Sequence, residues 1–186
     1  MTQEIWPKKP KLSRSKDVCD IVQFGSSIIE GAEPNDVDVA VIYNKIPLKE
    51  QLNQSQKIKE QLQKSTNKPV HIKSFDFYSL FDKSNFAKES ILFGKSLLDK
   101  KYFANRLGLI PKVQIFYNLQ KLKKNEKIKF NYLLSGKKGE YGLLRKHGGK
   151  LLKPSLIEIA PEKEKIFADR IQKLTKEFEV KKIFYS

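Results

Sequence analysis

The sequence predicts an α/β (α+β) protein in two parts: a small mixed-sheet core followed by a small basic α+β domain. Strand-like and helix-like stretches alternate through the first hundred residues, the pattern of helices layered on a sheet. Charge is uneven along the chain: residues 1–100 hold 16 Lys and Arg against 13 Asp and Glu, while residues 101–186 hold 21 against 8, giving +3 and +13. With 186 residues and 39% hydrophobic content, there is enough apolar material for each part to bury a core. The expected division is a basic N-terminal tail over 1–18, a core over 19–100 and a basic domain over 101–186, the break falling within "DKKYFANRLGLIPK".

Each element follows from local pattern. "DIVQFG", residues 20–25, reads as a short strand stopped by Gly25. "DVDVAVIY" alternates as a second strand, with Val37, Val39 and Val41 on one face and Asp36, Asp38 and Ala40 on the other. Leu48, Leu52, Ile58 and Leu62 recur at near-helical spacing after Pro47, and "KPVHIKSF" reads as a third strand. "FYSLFDKSNFAKESILFGKSLL" reads as one or two helices closing the core. In the second part "VQIFYNLQKLKK" reads as an amphipathic helix, and "KIKFNYLL" as a strand alternating Ile128, Phe130, Tyr132 and Leu134. "SLIEIA", "PEKEKIFADRIQKLTKEF" and "EVKKIFYS" then predict strand, helix and strand, with Pro161 starting the helix and Ile166, Ile171, Leu174 and Phe178 facing a core.

A net charge of +16 is far more than solubility requires and points to a phosphate-bearing partner. No run of about 20 apolar residues exists, so no membrane span is expected. The first residues lack the apolar centre of a secretory signal, and Cys19 is the only cysteine, so a cytoplasmic, reducing compartment is the expectation.

The two aspartates set among valines need an explanation. On one strand Asp36 and Asp38 project to the same side, and like charges so close repel. Solvation at an exposed edge relieves this, and so does a divalent cation held between them. Mg²⁺ (or Mn²⁺) suits such a pair because it takes its remaining ligands from water and substrate phosphates. Upstream, Gly25 lets backbone approach a phosphate closely, and Ser26 offers a hydroxyl and an amide.

The order apolar residue, Gly-Ser, nine residues, then Asp-apolar-Asp-apolar (Phe24, Gly25, Ser26; Asp36, Val37, Asp38, Val39) resembles the signature of the nucleotidyltransferase fold, the DNA polymerase β-like superfamily. "ESILFGKSLLD" is similar to the segment closing the core in its minimal-type members. The resemblance covers the first hundred residues or so. It implies that Gly25 and Ser26 grip an NTP, that Asp36 and Asp38 are catalytic and hold the metal, and that a nucleotide passes to a hydroxyl with loss of pyrophosphate. The family also supplies a third carboxylate from the next strand. Here parity places His71 and Lys73 on that face, while Asp76 falls on the other. His71 is a candidate base or weak ligand and Lys73 a candidate phosphate contact, or both are solvated. Without the third acid the two-metal arrangement is weakened. The alternatives are therefore a catalytically weakened, RNA-binding module and an antitoxin-like enzyme that nucleotidylates a protein partner.

The second part supplies the polyanion surface. From Lys121 to Lys153 there are 11 Lys and Arg against Glu126 and Glu140 alone. Lys137, Lys138, Arg145, Lys146 and Lys150, interspersed with glycines, are the expected phosphate contacts, with Tyr141 to stack on a base. His147, lacking a second metal-ligand partner, reads as a surface or phosphate-contact residue. RNA is favoured over DNA because no element reads as a groove-inserting helix.

Overall fold

The computed structural model describes residues 5–82, 85 and 87–186. The fold is mixed α+β and divides into two compact units: residues 1–28 with 32–108, and residues 29–31 with 109–186. Residues 101–108 thus pack with the first unit, where Phe103 and Ala104 are buried. Ile5, Trp6 and Leu12, from the basic N-terminal stretch, pack against that unit's core as well.

The first unit is built on a four-stranded sheet of order β3-β2-β1-β4. β1 (Val18–Phe24) and β2 (Val37–Tyr43) pair antiparallel, and α1 (Leu48–Gln63) carries the chain to β3 (Val70–Asp76), parallel to β2. After α2 (Lys88–Leu92), the two-residue β4 (Lys95–Ser96) pairs with β1. The alternation of β2 works on both faces. Val37, Val39, Val41 and Tyr43 meet Ile58 and Leu62 of α1, while Ala40 and Ile42 pack with Val22, Phe24, Leu80, Ile91 and Phe103.

The buried side of α1 differs from the expected leucine stripe. Gln51, Ser55, Ile58 and Leu62 face inward, whereas Leu48 and Leu52 are exposed. The polar pair is bound to the sheet: the Tyr43 hydroxyl bonds to the Gln51 carbonyl at 3.1 Å and to Ser55 Oγ at 2.7 Å, and Ser55 Oγ lies 2.7 Å from Ser74 Oγ. Satisfied hydroxyls are tolerated where an unsatisfied one is costly. The segment after β3 holds a short 3₁₀ turn, Ser79–Phe81, and α2; residues 83, 84 and 86 of the predicted helical region lie outside the described ones.

In the second unit two predicted elements exchange character. Residues expected as a helix form β5 (Ile110–Tyr117), and the expected strand is α3 (Lys124–Ser135). α4 (Leu143–His147), β6 (Lys150–Lys153), β7 (Leu156–Ile159), α5 (Glu164–Ile171) and β8 (Phe178–Tyr185) follow. Strands β7 and β8 lie where the sequence places them, but the helix is shorter than expected: Pro161 opens a 3₁₀ turn, α5 ends at Ile171, and Phe178 belongs to β8. The strands form one antiparallel sheet of order β6-β7-β5-β8. Its core joins Val113, Ile115, Ile157 and Ile159 of the sheet to Phe130, Leu134, Leu143, Phe167 and Ile171 of the helices.

Candidate functional site

The first unit brings Gly25, Asp38, His71 and Lys73 to one end of one sheet face. Phe24 pairs with Asp38, and Asp38 with His71, so these three form a row; Ala40 and Lys73 form the next. Gly25 follows at the end of β1 with φ +75°, and a Cβ built there would lie 3.2 Å from Asp38 Oδ2. The left-handed backbone and the crowding together require glycine. Ser26 is exposed on the 3₁₀ turn Gly25–Ile28.

Asp36, just before β2, is half-exposed, and its Oδ2 lies 3.4 Å from His71 Nδ1. Lys73 holds its ammonium 5.6 Å from the Phe24 ring centroid. Asp76 takes no part. Its Oδ1 accepts the amides of Tyr78 and Ser79 at 3.0 Å each, and the hydrogen bonds from Ser79 hold the carboxyl below its ordinary range. Among the described residues no group of three or more His, Cys, Asp or Glu is arranged to hold a metal ion. The carboxylates at this end of β2 are Asp38, beside Gly25, and Asp36, whose Oδ2 faces His71.

Sequence reasoning missed the groups that fix this turn. Ser27, buried, donates its hydroxyl to the Phe24 carbonyl at 3.1 Å, and Gln23 Nε2 donates to Ser27 O and Oγ, each at 3.1 Å. Trp6 Nε1 donates to Gln23 Oε1 at 2.8 Å. The available signal was a glutamine interrupting the apolar run Ile21, Val22, Phe24. A second missed group lies at the other end of β1: Asp20, fully buried, accepts from Ser96 Oγ at 2.6 Å and pairs with Arg106, which also reaches Asp99 at 3.1 Å.

In the second unit Lys137, Lys138, Tyr141, Arg145, Lys146 and Lys150 are all exposed. Gly136 (φ +91°) closes the turn before them, since a Cβ there would fall 2.1 Å from the Glu140 carbonyl oxygen. The Arg145 guanidinium sits 3.9 Å from the Tyr141 ring centroid, so one face of that ring already carries a cation. His147 is half-buried and edge-on to Phe167 at 6.0 Å, a packing role rather than a surface one. Glu30 Oε1 lies 2.5 Å from Lys163 Nζ within the same unit.

No protein-family model, curated protein or solved structure matches the chain. Among the described residues no helix is long and apolar enough to cross a membrane.

Proposed function

We propose that the chain is a Mg²⁺-dependent nucleotidyltransferase that moves a nucleotide from an NTP to a hydroxyl, with RNA held by the basic second unit. The observation that carries this reading is the closeness of Gly25 to Asp38, where a Cβ on residue 25 would lie 3.2 Å from Oδ2, which sets the Gly-Ser turn beside one of the two carboxylates. The mixed sheet, with β2 and β3 parallel through α1, supports the same reading.

Asp36 and Asp38 would hold Mg²⁺ or Mn²⁺, which when bound offsets the triphosphate charge and polarises its oxygens. The Gly25–Ser26 turn binds the phosphates through backbone amides and the Ser26 hydroxyl, and Lys73 adds a cation on the same face. The acceptor oxygen forms a bond to the α-phosphorus as the α–β phosphoanhydride bond breaks and pyrophosphate leaves. Asp36 orients His71 through Nδ1, leaving Nε2 to take the hydroxyl proton.

One observation favours a second reading, an RNA-binding module with weakened chemistry: β3 offers His71 and Lys73 where a third carboxylate is expected, and Asp76 is occupied elsewhere. Calorimetric titration of the full chain with each NTP and Mg²⁺ tests the site itself. Metal-dependent binding that Asp38→Asn weakens is the expected result. An NTP affinity indifferent to both metal and Asp38→Asn contradicts it.

A further inference from the structure

We propose that the face of the second unit's sheet turned away from its helices is a stacking platform for single-stranded RNA. This rests on reading that unit as the RNA holder, but assigns the bases to residues outside the basic loop.

Alternation along the strands builds the platform. Val113, Ile115 and Tyr117 of β5 point into the helical core, so Lys112, Gln114 and Phe116 point the other way, as does Ile110. Pairing places Tyr185 opposite Ile110, Ile183 opposite Lys112, Lys181 opposite Gln114 and Glu179 opposite Phe116. The core helices pack on the opposite side, and on this one Phe116, Lys112 and Gln114 are half-buried. Ile110 is 51% exposed and Tyr185 43% exposed, and Lys181 is exposed as well.

The distribution of groups decides what fits. A protein partner requires an apolar centre with a polar rim. Here the middle is largely polar, with Lys112, Gln114, Lys181 and Glu158 beside the single apolar Ile183, while Phe116 with Leu156 and Ile110 with Tyr185 occupy the end rows. The backbone positions of Phe116 and Tyr185 are about 20 Å apart along the strands, at roughly 3.3 Å per residue, and the Tyr185 ring leans back over the sheet, its hydroxyl reaching Gln114 at 3.3 Å. Separated rings with cations between them match bases that stack singly and phosphates that pass between them.

The carboxylates do not oppose this. Glu158 is buried and accepts the Tyr185 hydroxyl at 2.5 Å, which also fixes that ring, and Glu179 lies 3.5 Å from Lys181. Lys181 holds its ammonium 5.0 Å from the Phe116 ring centroid, so that a base stacking there displaces the ammonium toward its own phosphate. Beside Phe116 lies an open hollow of about 350 Å³, bounded also by Asn118, Ser155 and Phe178.

The test is fluorescence anisotropy of the full chain with a labelled single-stranded 12-mer RNA of mixed sequence, across a range of salt. Phe116→Ala and Tyr185→Ala should each weaken binding about tenfold, equivalent to about 1.4 kcal/mol, with an unchanged salt slope because no phosphate contact is lost. Phe116→Trp keeps a ring and should retain near wild-type affinity, which separates stacking from misfolding, and Tyr185→Phe, which keeps the ring but loses the bond to Glu158, should bind more tightly than Tyr185→Ala. Lys112→Ala with Lys181→Ala should lower the salt slope. Wild-type binding that Phe116→Ala and Tyr185→Ala leave intact, while Lys137→Ala with Lys138→Ala abolishes it, overturns the platform and keeps RNA as partner. Absence of RNA binding by the wild type overturns both, and nucleotide transfer to another acceptor would still stand. Loss of self-association in Phe116→Ala, with RNA binding unchanged, would assign the face to a second copy instead.

Discussion

Gly25 and Asp38 are neighbours: the carboxylate oxygen Oδ2 lies 3.2 Å from where a side chain on residue 25 would begin, closer than an ordinary van der Waals contact. The turn and the aspartate are therefore one construction, and a change at either is felt at both. Gly25→Ala must hold a left-handed backbone and displace the carboxylate. The expected cost is about 1–2 kcal/mol of stability from the backbone alone. Urea unfolding measures that loss, and NTP titration should show a larger relative defect than stability explains. A Gly25→Ala variant with wild-type NTP affinity would show that the turn is not part of the site.

Trp6 reports on the same turn. It is the chain's one tryptophan, and its indole N–H bonds to Gln23, which in turn holds Ser27. Gln23→Ala removes the acceptor and two donated bonds, with an expected loss of about 1–3 kcal/mol. Tryptophan emission should shift as the indole loses its partner, and NTP affinity should fall as the turn loosens. Unchanged emission in Gln23→Ala would contradict the link.

The buried Asp20 sets up an asymmetric pair of variants. Arg106→Ala leaves a fully buried carboxylate without its cation, for which losses of about 3–5 kcal/mol are typical. Asp20→Asn can keep the bond from Ser96, and the partly exposed Arg106 still has Asp99, so its cost should be nearer 1–3 kcal/mol. Denaturant midpoints give both values. Equal losses, or a larger one for Asp20→Asn, would contradict the assignment.

Alkaline pH should expose the Tyr43 network. Burial raises the Tyr43 hydroxyl above the usual tyrosine range, opposed in part by the Ser55 hydrogen bond. A raised folded pKa means that the stabilisation is complete below the unfolded value, near 10, and is lost as pH rises through the folded one. As pH rises above about 10 the wild type should lose stability more steeply than Tyr43→Phe, which has nothing there to ionise. At neutral pH Tyr43→Phe should cost about 1 kcal/mol.

These outcomes rest on features that were unevenly legible in the sequence. The β2 alternation gave its two faces directly, because Val37, Val39 and Val41 alternate with Asp38 and Ala40. The exchange of β5 and α3 has a physical cause. Phe130 and Leu134 are four apart, a spacing that fits both a strand's period of two and a helix turn, so Ile128, Phe130, Tyr132 and Leu134 look like a strand; only Phe130 and Leu134 are buried, and Ile128 and Tyr132 face solvent on a helix. Glu126, whose carboxylate accepts the Lys123 amide at 2.7 Å, was the readable sign of that helix start. In β5 an apolar Phe116 on the open face hid the alternation of Val113, Ile115 and Tyr117. The site's Asp36, Asp38 and Gly25 were legible because their spacing is local. Trp6 with Gln23 and Asp20 with Arg106 were not, since each joins residues far apart in the chain.

The central claim is that Asp36 and Asp38 carry nucleotide transfer. The direct measurement is incubation of the purified chain with each labelled NTP, Mg²⁺ or Mn²⁺ and total cellular RNA, comparing wild type with Asp36→Ala/Asp38→Ala. Label transferred to RNA by the wild type and absent in the double variant is the predicted result, and the preferred NTP would narrow the acceptor. No transfer, with salt-sensitive RNA binding that survives the double substitution, would contradict the claim and leave the fold as a binding scaffold.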